Sequence, residues 1–190
     1  FKIPYEYFNN KKDFLINERR GSQPAFDIAI ESIDTKNLFI IIAELNKEFD
    51  DINIFFKVHP REKYENWFKI LQDKNLNIQI CDKSEPFTHW LNNLDYVIGP
   101  PSTSFYDACM LGVQPISIHK LDKKREIFVK KMYEENNELT QYLFSPKSVR
   151  ELINFIKSSK NKSILNEKKI NKILKDEANY PSCKDSLTKV

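Results

Sequence analysis

Short apolar runs recur at intervals of about 20 residues through the middle of the chain, separated by segments with helical spacing. The runs have the length of β-strands and cover 53–59, 77–81, 96–99 and 115–118. The segments between them repeat apolar residues three and four positions apart, as in Tyr64, Trp67, Phe68 and Leu71. This alternation predicts an α/β fold, with a Rossmann-like parallel sheet and helices on both faces. Ligands of such sheets bind at the carboxyl ends of the strands.

The same spacing predicts helices outside this central region. One lies ahead of the first strand and is marked by Leu38, Ile41, Ile42, Leu45 and Phe49; another, near the end, is marked by Val149, Leu152, Ile153 and Ile156. Short strands are expected at 13–17 and 141–145. A helix over 102–111 should end at Gly112, since glycine readily adopts the left-handed conformation that ends many helices.

Length and composition favour one sizeable core. The chain has 190 residues, of which 41% are hydrophobic. We expect a Rossmann-like domain over 1–160 and a C-terminal helical extension and tail over 161–190. The first residue is Phe1 rather than Met, so we expect a piece of a longer protein. No apolar stretch reaches the roughly 18 residues of a membrane-spanning helix, and the expected location is the cytoplasm.

Charge and cysteine content narrow the function classes. The formal net charge is +3, from 30 basic and 27 acidic residues, and this mixed surface argues against a nucleic-acid partner. The three cysteines are too widely spaced for a zinc site. Cys81 and Cys109 lie in apolar stretches and are interpreted as small buried hydrophobic residues.

A first loop whose side chains are candidates for ligand binding follows the 53–59 strand. Lys57, His59, Pro60 and Arg61 lie where that strand ends, so they should face the binding crevice. His59 can donate a hydrogen bond to a phosphate or a sugar oxygen, and Lys57 or Arg61 can neutralise phosphate charge. In the alternative interpretation, His59 only caps the following helix or satisfies a buried carbonyl group.

A second loop follows the 96–99 strand and opens a helix. Gly99 ends the strand, and Ser102, Thr103 and Ser104 place three hydroxyls beside the helix start. Ser102 is a suitable N-cap, and Ser104 with Asp107 forms a candidate capping box. The free N–H groups of the first turn form a ready anion site. The alternative is plain helix capping, which needs only one hydroxyl.

The two loops are more informative together than apart. They follow different strands of one predicted parallel sheet, so both fall on its carboxyl edge. A basic or imidazole group would then meet a helix N-terminus around one phosphate. No carboxylate pair flanks this position, so we expect no metal and no cofactor.

Other candidates have a functional and a structural interpretation. Gly21 and Ser22 follow the 13–17 strand, where they either line the ligand-binding edge or form an exposed turn. His119 ends the 115–118 strand and could reach the crevice. The aromatic residues Trp67, Phe87 and Trp90 have core spacing and are assigned to the core rather than to base stacking.

Four segments together resemble the C-terminal domain of GT-B glycosyltransferases. They are 57–60 (KVHP), 95–99 (DYVIG), 102–104 (STS) and 108–118 (ACMLGVQPISI). The chain is most similar to bacterial capsule and lipopolysaccharide enzymes that use CMP-activated sugars, the sialyltransferases, polysialyltransferases and Kdo transferases. The resemblance covers roughly residues 53 to 119. It implies that His59, Ser102, Thr103 and Ser104 contact the CMP moiety, with His59 as the catalytic residue here.

Departures from related patterns limit the resemblance. The E-x7-E pattern of retaining GT-B enzymes is absent, with Asp107 as the only nearby acid. In the inverting CMP-sugar enzymes the catalytic base lies on the N-terminal domain. The resemblance therefore implies a chain that binds the donor and stabilises the leaving phosphate. Two alternatives remain open: a CDP-glycerol or CDP-ribitol phosphotransferase domain of the same fold, and a non-catalytic nucleotide-binding module.

The expected partners follow from this resemblance. They are a nucleotide-sugar donor, and a glycan or glycolipid acceptor that binds through the N-terminal domain. The lysine-rich end is interpreted first as a solvated helix, and peripheral contact with the inner membrane face is the alternative. Its lysines are Lys157, Lys160, Lys162, Lys168 and Lys169.

Overall fold

A computed structural model describes residues 24–58, 64–72, 78–81, 84–130, 139, 142–159, 172 and 174, in which helices alternate with short strands. The first elements are α1 (Pro24–Glu48), β1 (Ile54–Phe56), α2 (Tyr64–Gln72), β2 (Ile78–Ile80), α3 (Phe87–Leu91), β3 (Tyr96–Gly99), α4 (Ser104–Met110) and β4 (Gln114–Ser117). A 3-10 helix (Ile118–Leu121), α5 (Lys123–Val129) and α6 (Val149–Ser159) follow.

The described strands form two parallel pairs. β1 pairs with β2, with Ile54 opposite Ile78. β3 pairs with β4, with Gly99 opposite Ser117, and Phe144 adds one parallel bridge beside β4. The predicted mixture of helices and parallel strands is therefore confirmed. A continuous Rossmann-like sheet stays a prediction, because these strands form two separate pairs.

Helix α1 packs against both strand pairs. Its Phe39 lies in a core cluster with Phe56 of β1, and its Ile41 lies in a second cluster with Ile116 of β4. Ile54 of β1 packs against both clusters. The helix predicted from the apolar spacing of this segment is confirmed, and its two faces explain why apolar residues occupy consecutive positions there.

Helix α6 completes the second cluster, and the sequence predicts it correctly. Its apolar face buries Leu152 and Ile153 against α1 and β4. At its far end, the Nζ of Lys157 lies 2.6 Å from a carboxylate oxygen of Glu48. The same Nζ lies 5.7 Å from the centroid of the Phe49 ring. These contacts hold the carboxyl-terminal ends of α1 and α6 together.

Helix α4 ends at Gly112 as predicted. The φ angle of Gly112 is +76°, in the left-handed region. The N–H of Gly112 donates to the carbonyl of Cys109 at 3.2 Å, and the N–H of Val113 donates to the carbonyl of Ala108 at 2.9 Å. This pair of bonds is a Schellman motif, which satisfies the last carbonyl groups of the helix and directs the chain into β4.

The aromatic residues assigned to the core lie there in part. Trp67 is 8% exposed and packs between Phe39 and Phe56, with ring centroids 5.6 and 4.7 Å away. Trp90 is half-buried and its ring lies 5.5 Å from that of Phe55. The core assignment of Trp67 is therefore confirmed.

A buried ion pair joins α1 to α5. The Nε of Arg125 donates to Oδ1 of Asp34 at 3.0 Å, and its Nη2 lies 2.8 Å from Oδ2. Burial raises the pKa of Asp34 to about 6, although the Arg125 guanidinium opposes this rise. The carboxylate is thus costly to ionise, and the bidentate geometry offsets much of that cost.

His119 is buried, which agrees with a structural role and contradicts the alternative in which it reaches an open crevice. It lies in the 3-10 helix and is 1% exposed. Its Nδ1 lies 2.7 Å from Oγ of Ser117, and its Nε2 has no partner among the described residues. Burial, with smaller effects from Lys120 and Arg125, lowers the pKa of His119 to about 4. The imidazole is therefore neutral at physiological pH.

Some sequence predictions fall outside the described residues. These are the strand at 13–17 and nearly all of the extension at 161–190. The strand expected at 141–145 is reduced to the single bridge at Phe144. Among the helices that the structure describes, none has the length and apolar composition needed to cross a bilayer.

Candidate functional site

Lys57 lies directly after β1, at the carboxyl end of that strand. Its side chain is exposed, and its Nζ lies 4.2 Å from the centroid of the Phe87 ring. Partial burial lowers the pKa of Lys57, against the opposing effects of Cys81 and Asp107. The ammonium is therefore placed at the edge where ligands of parallel α/β sheets bind.

Cys81 occupies the corresponding position after β2. Its N–H donates to the carbonyl of Phe56 at 2.9 Å, which extends the β1–β2 pairing by one bond. Burial raises the pKa of the Cys81 thiol to about 11, so it is protonated at neutral pH and unsuited to nucleophilic chemistry. Cys81 and Cys109 are both buried, as the sequence predicts.

Asp107 brings a carboxylate to the same edge from the other strand pair. It lies in the first turn of α4, which follows β3. Burial raises the pKa of Asp107, and the nearby charge of Lys57 opposes that rise. The charges of Lys57 and Asp107 therefore influence each other's pKa, and the meeting of the two loops around one phosphate stays a prediction.

The second loop starts its helix later than predicted. α4 begins at Ser104 with Thr103 as its N-cap, and the Thr103 side chain makes no capping hydrogen bond. Ser104 is thus inside the helix, and the predicted capping box with Asp107 is wrong. Thr103 nevertheless has helical backbone angles, and Oγ of Ser102 accepts the N–H of Ser104 at 3.3 Å, so the predicted capping role of Ser102 is supported.

The N–H groups expected to bind an anion are already bonded. Phe105 donates to the carbonyl of Ser102 at 3.1 Å, and Tyr106 donates to that of Thr103 at 3.0 Å. The N–H of Ser104 donates to Oγ of Ser102 at 3.3 Å. The first turn closes on itself because its bonds span three residues rather than four. Anion binding by these three N–H groups is therefore not supported.

The hydroxyl groups of this loop remain as candidate donors. Oγ of Ser102 accepts from Ser104 twice, from the N–H and from the hydroxyl at 3.0 Å. The proton of Ser102 is then directed away from Ser104, and the side chain is exposed. Thr103 is exposed as well, whereas Gly99 is buried at the end of β3. Side-chain hydroxyls and Lys57 are the groups that can meet an anion here.

A shallow groove lies elsewhere, between α3 and α4. Its volume is about 400 Å³, and it is lined by Pro86, Thr88, His89, Asn92, Met110 and Leu111. The groove contains none of the site residues predicted from the sequence. Within the described ranges, no group of three or more His, Cys, Asp and Glu side chains could hold a metal ion.

Two residues at this edge were not predicted as part of the site. Phe87 was assigned to the core, yet its ring face also supports the ammonium of Lys57. Asp107 was expected only to cap a helix. The available signal was positional: Phe87 begins α3 and Asp107 lies in the first turn of α4, and both helices follow a strand.

Several predicted site residues lie outside the described residues. These are His59, Pro60 and Arg61 of the first loop, with Gly21 and Ser22. Their assigned roles, including the catalytic role of His59, stay predictions.

No protein family, curated protein or solved structure matches the chain. The resemblance to GT-B donor domains rests on the sequence motifs alone. Of the four segments, the structure describes 95–99, 102–104 and 108–118 in full, and Lys57 and Val58 of 57–60.

Proposed function

We propose that this chain is the donor-binding domain of a GT-B glycosyltransferase that uses CMP-activated sugars in bacterial surface-polysaccharide synthesis. One observation carries the proposal. Lys57 and the hydroxyls of Ser102 and Thr103 follow two different strands, and Lys57 interacts with Asp107 one turn beyond those hydroxyls. A cation and exposed O–H donors at one strand edge suit a phosphate group.

The proposed chemistry is stabilisation of a departing phosphate. When the sugar leaves CMP, negative charge grows on the phosphate oxygens. Lys57 would neutralise that charge, and the outward hydroxyl of Ser102 would donate a hydrogen bond to it. His59, by the sequence resemblance, would add a third donor. Transfer proceeds with inversion, and the base that activates the acceptor belongs to a second domain.

The fold required by this proposal is one Rossmann-like sheet. In support of it, Ile54 of β1 packs against the clusters of both strand pairs. Both pairs are parallel, so the ends that carry Lys57 and Gly99 would share one edge.

Calorimetric titration with CMP, CDP, UDP, GDP and ADP tests the proposal. We expect CMP to bind best, and Lys57→Met and Ser102→Ala to weaken it about tenfold or more, as for hydrogen bonds to charged groups. Lys157→Met and Ser158→Ala are matched controls on α6, and neither should change CMP affinity.

Other outcomes separate the alternatives. Preference for CDP and for a CDP-alcohol would favour the phosphotransferase. Preference for UDP or GDP would overturn the CMP-sugar donor. Failure of the full-length protein to bind any of the five nucleotides would overturn the donor-binding function.

A further inference from the structure

The contact between Lys57 and Phe87 joins two segments that are distant in sequence. Lys57 follows β1, and Phe87 is the first residue of α3. The Nζ of Lys57 lies 4.2 Å from the ring centroid, well inside the range of about 6 Å over which a ring face attracts a cation.

The Phe87 ring is a fixed support. It is half-buried and packs against a cluster formed by Leu91, Ala108 and Val113. Those three residues are themselves buried, with exposures of 0 to 3%. A ring held on one side by this cluster cannot follow the lysine. The lysine side chain has four rotatable bonds, so the ring restricts the lysine and not the reverse.

We propose that Phe87 is a positioning residue that holds the Lys57 ammonium at the carboxyl edge before an anionic ligand arrives. This inference rests on the proposed function, because it assumes that Lys57 binds a phosphate. A free lysine would lose its rotamer freedom on binding, and a lysine already held by a ring loses less.

The charges around Lys57 agree with this role. Asp107 interacts with Lys57 from the start of α4, and burial lowers the Lys57 pKa while Asp107 raises it. A carboxylate alone would attract the ammonium away from a bound phosphate. The Phe87 ring holds the ammonium without adding negative charge to the anion site. A second acidic residue in its place would add such a charge.

The ring contact itself can be measured without any ligand. Lysines of the full chain are dimethylated with ¹³C, and the Lys57 signal is assigned by its loss in Lys57→Arg. We expect the ring current of Phe87 to shift this signal upfield, and the shift to vanish in Phe87→Leu and persist in Phe87→Tyr. An unchanged Lys57 signal in Phe87→Leu would overturn the contact.

Titration with CMP tests the role. Phe87→Leu should weaken CMP binding about two- to fivefold, as expected for a partly exposed cation–π contact. Phe87→Tyr should restore it, and Phe87→Leu should add nothing in a Lys57→Met background. Phe49→Leu is the matched control, since it removes a ring under Lys157 at 5.7 Å and should leave CMP affinity unchanged.

The two failures are distinguishable. If the wild-type chain binds CMP and Phe87→Leu binds it equally well, the positioning role is wrong and the proposed function stands. If the full-length wild-type protein binds no nucleotide, the proposed function is wrong and the role of Phe87 falls with it. Thermal unfolding of each variant shows whether it is folded. If Phe87→Leu does not fold, Phe87→Tyr is still a usable variant because it keeps the half-buried ring.

Discussion

Arg125 holds Asp34 through two parallel contacts, 3.0 Å from Nε to Oδ1 and 2.8 Å from Nη2 to Oδ2, although the residues are 91 positions apart in sequence. The pair is buried, with 7% and 10% of the two side chains exposed. It fixes α5 to α1 at the end of β4.

Removing one partner of this pair should destabilise the fold. Arg125→Met leaves a buried carboxylate unpaired, and we expect a loss of about 3 kcal/mol or more in unfolding free energy at pH 7.5. The loss should be smaller at pH 5, where Asp34, with a pKa of about 6, binds a proton. Urea denaturation at both pH values measures this. A loss below about 1 kcal/mol at pH 7.5 would show that the pair contributes little.

His119 and Asp34 should give opposite pH dependences of stability. The folded pKa of His119 is about 4, below its ordinary 6.5, so its contribution is full above pH 6.5 and is lost as pH falls towards 4. The folded pKa of Asp34 is about 6, above its ordinary 3.8, so its proton uptake favours the folded state as pH falls from 6 to 3.8.

Single variants separate these two effects. Each group changes stability by at most about 1.4 kcal/mol per pH unit within its window. Asp34→Asn should therefore lose stability more steeply than the wild type between pH 6 and 4, and His119→Gln should lose it less steeply. Urea midpoints across pH 4 to 7.5 provide the comparison. Identical slopes in all three proteins would contradict the assignment.

Gly112→Ala should destabilise the chain through backbone strain alone. The φ of Gly112 is +76°, and a Cβ added there meets no atom within 4 Å. The expected loss is about 1 kcal/mol, the cost of a left-handed conformation for an L-residue. Gly112→Asn should lose less, since Asn tolerates this region. Gly99→Ala, with equal space and no positive φ, is the control in thermal unfolding and should change little.

The thiols of Cys81 and Cys109 should be unreactive in the folded protein. Both are buried, and the Cys81 pKa is about 11. In a Cys183→Ser background, we expect no labelling by a disulfide reagent at pH 7.5 and two labelled thiols in urea. Rapid labelling without denaturant would contradict the buried positions.

Periodicity predicted the elements well and their ends less well. The spacing of Tyr64, Trp67 and Leu71 fixed a helix, and Gly112 fixed the end of α4, because both signals are local in sequence. At the start of α4 the predicted capping box of Ser104 with Asp107 was wrong, since either Ser102 or Ser104 is a good cap and only the observed bonds of the first turn distinguish them.

The site stays a prediction, and the contact of Lys57 with the Phe87 ring was not predicted from the sequence. Strand ends in a parallel arrangement indicated that Lys57 and the Ser102 loop would meet. The spacing of Phe87 marked it as apolar, and nothing local marks an apolar ring as a support for a cation. The pairing of Asp34 with Arg125 is a long-range contact between two separate helices, which no sequence pattern of either helix encodes.

Helix α1 contacts both strand pairs, while the groups at the carboxyl edge come from one pair each: Lys57 from the first, Asp107 and Ser102 from the second. If the proposed function is correct, a bound phosphate lies between the ends of the two strand pairs, and the helix that contacts both pairs supplies none of the proposed site residues. On that proposal, Ile41→Ala, deep in α1, should change CMP affinity through the spacing of the two pairs, without removing any group that contacts the ligand.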